Sequence, residues 1–346
     1  MYLLKIILLF SFITSALAEL PSENGKWKDS FSQEKKDCGN TDLAKDHPIV
    51  GDYFSRPKDQ GNIAWCYGFA ASDLLTVKVG KPVSSIHTSV AFQSRLNKNI
   101  FHKVSMLFNR ELRQSYGNKE VFSEGGSVKS SLRALRKKKK VCSEESLPFS
   151  TSFLESTSRL LENFEELKRS FHEYKSQEDA EHLICSDINT FLTSHPQIQT
   201  PPFKVLMSLN EKMIENSFEK LIELHCSKKS IPVPKFKIGS IIKPHGKKKR
   251  TKKFFKKINS LLEEGKPLAI GYNSGHIAVE AGAHSSTLIG KRWKDGKCQY
   301  KIRNTWGESC IGYRKDTVLD CNSDQGAFWV DEKTLYRMSV SLDYIE

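Results

Sequence analysis

Near residue 265 the spacing of the apolar residues changes, and that change restricts the chain to a mixed architecture. Upstream, apolar residues recur every three or four positions. Leu160, Phe164, Leu167, Phe171 and Tyr174 make one such stripe, and Ala180, Leu183, Ile184, Ile188 and Phe191 make a second. This is the period of helices with one buried face. Downstream, alternating segments at 286–292 and 299–303 flank Lys294-Asp295-Gly296-Lys297, the signature of a hairpin. Residues 267–272 and 327–330 read as further strands. A helix is expected over 69–78, stopped by Gly80 and Pro82. Another is expected over 127–135, and a third closes with Ile258, Leu261 and Leu262 before Gly265. Residues 19–58, broken by Pro21, Gly25, Gly39, Pro48, Gly51 and Pro57, read as an irregular strap. The expected class is α+β, a helical part followed by a β-rich part, with any cleft between the two.

At 346 residues, 38% hydrophobic and 27% charged, the chain can bury a sizeable core, which excludes disorder. Eight cysteines are too sparse for a disulfide mini-protein. The first 18 residues read as a signal peptide: Lys5, an apolar stretch over 6–16, and Ala16-Leu17-Ala18 as the cleavage site. The remaining apolar runs fall short of the ~18 residues that cross a membrane. Export is therefore expected, to the periplasm or the medium, with the mature chain starting at Glu19 and disulfides allowed. The lack of an Asn-x-Ser/Thr acceptor leans towards a bacterial source.

The net charge of +14 is concentrated: residues 133–140 carry six basic side chains in eight, and 247–257 carry eight in eleven. The rest of the chain is close to neutral. These runs are expected either to meet an anionic lipid or glycan surface or to be solvated faces. Phe254 and Phe255 are the only aromatics in either run. Neither run resembles a groove that stacks nucleic-acid bases, so no specific nucleic acid is expected as partner. No C-x2-C or His-x3-His spacing occurs, and neither metal nor cofactor is expected.

The chemistry is placed where the helical part begins. Cys66 opens an apolar helical run, facing the positive end of the helix dipole, which favours the nucleophilic thiolate. Gln60, on a Gly-containing turn six residues upstream, is an amide donor for an oxyanion beside the Cys66 N–H. In the β-rich part His284 starts one strand of the hairpin and Asn304 ends its partner, so the two lie side by side. An Asn carbonyl can orient an imidazole that shares the thiol proton, and Trp306 can cover that bond. His276, eight residues before His284, is a rival base that does not begin the strand beside Asn304.

These residues together resemble the papain-like cysteine peptidases. The resemblance is carried by Gln60-x5-Cys66 with Asp59-Gln60-Gly61 before it and Phe69-Ala70 after it. It continues through Gly125-Gly126, Ser143-Glu144-Glu145-Ser146-Leu147-Pro148-Phe149, Gly265-Lys266-Pro267, His284 and Asn304-Thr305-Trp306-Gly307, in the family's order. It implies a two-part fold with a helical half, a barrel-like β half and an active-site cleft between them. It implies Cys66 as nucleophile, His284 as acid and base, Asn304 as orienter, Gln60 as oxyanion donor, and Gly125 and Gly126 pairing with substrate backbone. The segments would be a signal peptide at 1–18, a strap at 19–58, the nucleophile half at 59–150, a helical insertion at 151–245 and the His/Asn half at 246–346. The chain departs from the pattern at Ile63, Ser123 and Glu124, where the family's disulfide would lie, and at Tyr67, where a Trp is usual. Before Cys66 there is no room for the family's long inhibitory pro-segment.

The expected activity is endopeptidase cleavage of a protein or peptide by a monomer. The alternatives are acyl transfer or amidase chemistry at the same site, or a non-catalytic binding module that uses the basic segments. With Cys66 free, Cys310 and Cys321 are the easiest disulfide pair, Cys185 and Cys226 are a possible clip on the insertion, and Cys38, Cys142 and Cys298 have no assigned partner.

Overall fold

The computed structural model describes residues 35–61, 64–97, 126–149, 222, 226, 229–244, 248–279 and 282–346. In chain order these form α1 (Lys35–Cys38), β1 (Thr41–Asp42), α2 (Leu43–Asp46), α3 (Gly51–Phe54), α4 (Cys66–Val79), α5 (Ser85–Asn97) and α6 (Val128–Leu135). Then follow β2 (Lys140–Cys142), β3 (Ser230–Pro232), β4 (Ile238–Ile242), α7 (Lys248–Glu263) and β5 (Leu268–Asn273). The chain closes with β6 (Ala283–Lys294), β7 (Lys297–Arg303), β8 (Val318–Asn322), β9 (Ala327–Asp331), α8 (Glu332–Met338) and β10 (Ser339–Ile345). The class is α+β. No described helix is long and apolar enough to cross a membrane.

Helices α4, α5 and α6 pack on one another around Phe69, Leu74, Ile86, Val90 and Leu132. Gly68 permits the closest approach, because a Cβ there would lie 1.8 Å from Ser89 Oγ on α5. The expected α4 is present and ends at Gly80 in the left-handed conformation (φ 70°). Helix α5 was not expected from the sequence. Its buried face mixes Ile86, Val90 and Ala91 with Ser85, Thr88 and Ser89, which hides the apolar period. Those hydroxyls bond back to the helix, Thr88 Oγ1 to Ser84 O at 2.8 Å and Ser89 Oγ to Ser85 O at 2.9 Å.

The main sheet runs β4-β10-β5-β6-β7-β9-β8, with β1 added beside β6, and every neighbouring pair is antiparallel. The β6–β7 hairpin turns at Asp295 (φ 53°) and Gly296 (φ 70°). Two successive positive φ values match the twist of the strands, which is why Asp-Gly marks this turn. Helix α7 buries Phe254, Phe255, Ile258, Leu261 and Leu262, and Phe255 stacks on Tyr300 of β7 at 5.8 Å. Its other side is basic. Residues 238–242, at the end of the expected helical insertion, are a strand paired with β10.

The irregular strap is corrected by the structure. From residue 35 it holds three one-turn helices and a strand, each too short to show a period. Asp42 caps α2 by accepting from Ala44 N at 3.1 Å, and Leu43, Val50, Tyr53 and Phe54 cluster with Ile289 of β6. The disulfides are Cys38–Cys298, Cys142–Cys226 and Cys310–Cys321. The last is the expected pair. Cys226 joins Cys142 rather than Cys185, and Cys38 and Cys298, left without assigned partners, join each other. Cα–Cα distances of 5.3 and 5.6 Å let these bridges close, and tertiary packing alone sets them across 84 and 260 residues of chain. Cys185, Gly125, the signal peptide and the two helical stripes lie outside the described residues.

Candidate active site

Cys66 is the first residue of α4 and is 7% exposed. Among the described residues it is the one cysteine without a disulfide. Burial pushes its thiol up. Opposing this are the nearby N–H groups of Ser285, Tyr67 and Cys66 itself and the Ser285 hydroxyl, which favour the thiolate. Ser285 follows His284 on β6, so these groups come from both the helix start and the strand that carries the imidazole.

His284 and Asn304 meet as their places on the hairpin require: His284 Nε2 lies 2.7 Å from Asn304 Oδ1. A carbonyl oxygen only accepts, so Nε2 carries the proton and Nδ1 the lone pair. Both side chains are buried, at 8% and 1% exposure. Burial pulls His284 down to about 4, against the Asn304 hydrogen bond, which works upwards. The imidazole is therefore neutral near pH 7 and able to take a proton. Trp306 lies over it with ring centroids 4.8 Å apart, and the Tyr272 ring meets its edge at 5.4 Å.

Gln60 is tied to the residue after Asn304. Its backbone N–H donates to Thr305 O at 2.8 Å, and its side-chain carbonyl accepts from Thr305 Oγ1 at 2.5 Å. Asp59 and Trp306 form a bridge alongside. These contacts set the rotation of the amide. Gly126 precedes α6, where a Cβ would lie 2.6 Å from Phe92 and 2.7 Å from Tyr67. Its lack of a side chain is thus needed for packing against Phe92 of α5 and Tyr67 of α4. His276 sits in the 3-10 turn Ser274–His276, among the charges of Lys243, Arg337 and Arg314.

A second cluster, unsuspected from the sequence, stands behind the site. Asp73 on α4 accepts from Tyr53 OH at 2.7 Å, from Arg303 Nη1 at 2.7 Å and from Thr287 Oγ1 at 2.8 Å. Lys58 lies 3.3 Å from the same carboxylate and also bonds Tyr53 OH and Ser85 Oγ. Burial alone would raise the Asp73 carboxyl, but Arg303 and Lys58 outweigh it and hold it below its ordinary range. The cue in the sequence is a carboxylate inside the apolar run 69–75. An open cavity of about 1100 Å³ adjoins this cluster at Lys58, Arg303, Phe69 and Glu144, and its lining contains none of Cys66, His284 or Asn304. It is not the expected cleft.

The basic runs are outward-facing where described. Arg250, Lys252, Lys253, Lys256 and Lys257 are exposed on α7, as are Arg133, Arg136, Lys137, Lys139 and Lys140. Phe254 and Phe255 point into the core. Among the described residues no group of three or more His, Cys, Asp or Glu side chains is placed to hold a metal ion.

No family model and no curated protein matches this chain. Among solved structures it is similar to the digestive procathepsin L 3 of the Tenebrio molitor larval midgut, at 12% identity and TM-score 0.43 over 91% of this chain and 72% of that one. It is also similar to a structure from work on the mite allergens Blo t 1 and Der p 1, at 11% identity and TM-score 0.40 over 97% and 77% of the two chains. The third is procathepsin B S9 from Trypanosoma congolense, at 12% identity and TM-score 0.37 over 92% and 83%.

Proposed function

We propose that this chain is an exported papain-like cysteine peptidase that hydrolyses peptide bonds through Cys66, His284, Asn304 and Gln60. The observation that carries the reading is the 2.7 Å bond between His284 Nε2 and Asn304 Oδ1, on the hairpin that faces the start of the Cys66 helix. As Sγ attacks the scissile carbonyl, the thiol proton passes to His284 Nδ1, and Asn304 Oδ1 stabilises the imidazolium that forms. The Cys66 N–H and the Gln60 amide hold the oxyanion. Collapse breaks the C–N bond, and the leaving amine takes the proton from His284. Water, deprotonated by the same imidazole, then hydrolyses the thioester. Trp306 shields the His284–Asn304 bond, and Gly125 and Gly126 hold substrate backbone. The scheme calls for no cofactor.

The three disulfides among the described residues support export to an oxidising compartment, periplasmic or extracellular. The exposed cations of α7 and of 133–140 are the proposed contact with an anionic surface. The test is cleavage of a peptide library by the chain starting at Glu19, together with labelling by a thiol-directed epoxide. Hydrolysis and label should both vanish in Cys66→Ala. Products capped by an added amine in place of hydrolysis would make the activity acyl transfer. A wild-type chain that neither cleaves nor takes the label would leave the non-catalytic module.

A further inference from the structure

Asn304 is held on three sides. Its Oδ1 accepts from His284 Nε2 at 2.7 Å and from Ser286 Oγ at 2.9 Å, and its Nδ2 donates to Tyr313 OH at 2.7 Å. Ser286 Oγ in turn lies 2.9 Å from Tyr272 OH. Tyr272 stands opposite His284 in the β5–β6 ladder. Ser286, two residues on from His284, projects from the same face of the strand, so the Tyr272 hydroxyl reaches it diagonally.

This chain of bonds has a direction. An amide turned by 180° keeps its shape but exchanges its acceptor and donor ends. Turned, Asn304 would offer NH2 to His284, and the imidazole could stay only as the other tautomer, with Nδ1 protonated. Tyr272 opposes that turn. It is 2% exposed, burial holds its phenol well above its ordinary value, and so it keeps one proton to donate. Ser286 Oγ is its one hydrogen-bond partner among the described residues. A buried donor left unmade is costly, so Tyr272 donates to Ser286. The Ser286 hydrogen must then go to an acceptor, and Asn304 must present oxygen. On the far side Tyr313 takes the Nδ2 hydrogen, stacked on Trp306 at 5.6 Å.

We propose that Tyr272, Ser286 and Tyr313 are positioning residues that hold the Asn304 amide in one rotation and thereby fix His284 as the Nε2–H tautomer. The imidazole lone pair is then kept on Nδ1, where the proton of the Cys66 thiol must go. This rests on the reading of Cys66 and His284 as nucleophile and base.

The test reads the tautomer itself, by long-range 1H–15N correlation of the His284 ring in the folded full chain without substrate. Wild type should show a single Nε2–H form. Ser286→Ala and Tyr272→Phe, two independent ways of breaking the relay, should each give a mixture with the Nδ1–H form. Each should also lower kcat by about tenfold, the scale of one hydrogen bond, with KM unchanged. In an Asn304→Ala background, Ser286→Ala should cost nothing more, because its effect passes through Asn304. Variants that keep a pure Nε2–H ring and wild-type kcat would overturn the proposal. So would a Ser286→Ala loss that is the same in both backgrounds. If the tautomer shifts as expected in a protein that never cleaves peptide, the positioning stands and the peptidase reading falls.

Discussion

Gln60 shows how much of a side chain's chemistry is set by one neighbour. Thr305 holds both its backbone and its carbonyl end, so the amide is oriented before any substrate arrives, as electrostatic preorganisation requires. Gln60→Ala should lower kcat by roughly 10²–10³, the scale of one oxyanion donor, while Cys66 still reacts with a small epoxide. If alkylation fails as well, Gln60 builds the site rather than stabilising the oxyanion. His284 gives a pH signature. Its folded value of about 4 lies below the ordinary 6.5, so between these limits the unfolded chain binds more protons. Its contribution to stability is full above pH 6.5 and is lost as pH falls towards 4, by about 3 kcal/mol in all. Urea unfolding of wild type and His284→Gln at pH 7 and 4.5 measures this. An identical pH slope in the two proteins would show that His284 is not the group responsible.

Among the elements, α4 carries Cys66, β6 carries His284 and Asn304 directly follows β7, and Asp73 fastens the three elements together. One carboxylate binds Thr287 on β6, Arg303 at the end of β7 and Tyr53 on α3. Arg303 also donates to the backbone oxygens of Tyr53 and Arg56 at 3.0 and 2.8 Å. Asn304 follows Arg303 directly, so the ion pair ends one residue from the imidazole's partner. Asp73→Ala would remove the carboxylate bonded to the two buried cations Lys58 and Arg303, and the expected loss is about 3–5 kcal/mol. Chemical denaturation decides this: a change under 1 kcal/mol would mean that water enters the site and solvates the cations.

For the whole molecule the decisive property is the distribution of charge. The five described cations on the outer side of α7 sit on a helix whose other side is core, so they can be changed without touching Cys66 or His284. Replacing Arg250, Lys252, Lys253 and Lys256 by Gln should release the protein from anionic vesicles at lower salt and leave kcat on a small peptide unaltered. Wild-type retention that does not change with salt would show these charges to be solvated only. Residues 35–58 are joined to β7 by Cys38–Cys298 and to β6 by β1, so they belong to the folded body.

Local signals in the chain were enough for the α+β class, the start of α4 at Cys66 and the hairpin with His284 and Asn304 on adjacent ends. Each rests on interactions between near neighbours: Asp295-Gly296 can adopt two positive φ values, and alternation selects a face. The one-turn helices of the strap, helix α5 with its buried hydroxyls, and the pairing of Cys38 with Cys298 were decided only by tertiary packing. So were the Asp73 cluster and the Tyr272–Ser286–Asn304 relay. In each of these the partners lie far apart in sequence, and a polar residue is stable there only because the folded chain supplies the group that answers it. Periodicity records which side of an element is buried, but a buried Asp, Ser or Tyr is explained by a partner that only the completed fold brings within reach.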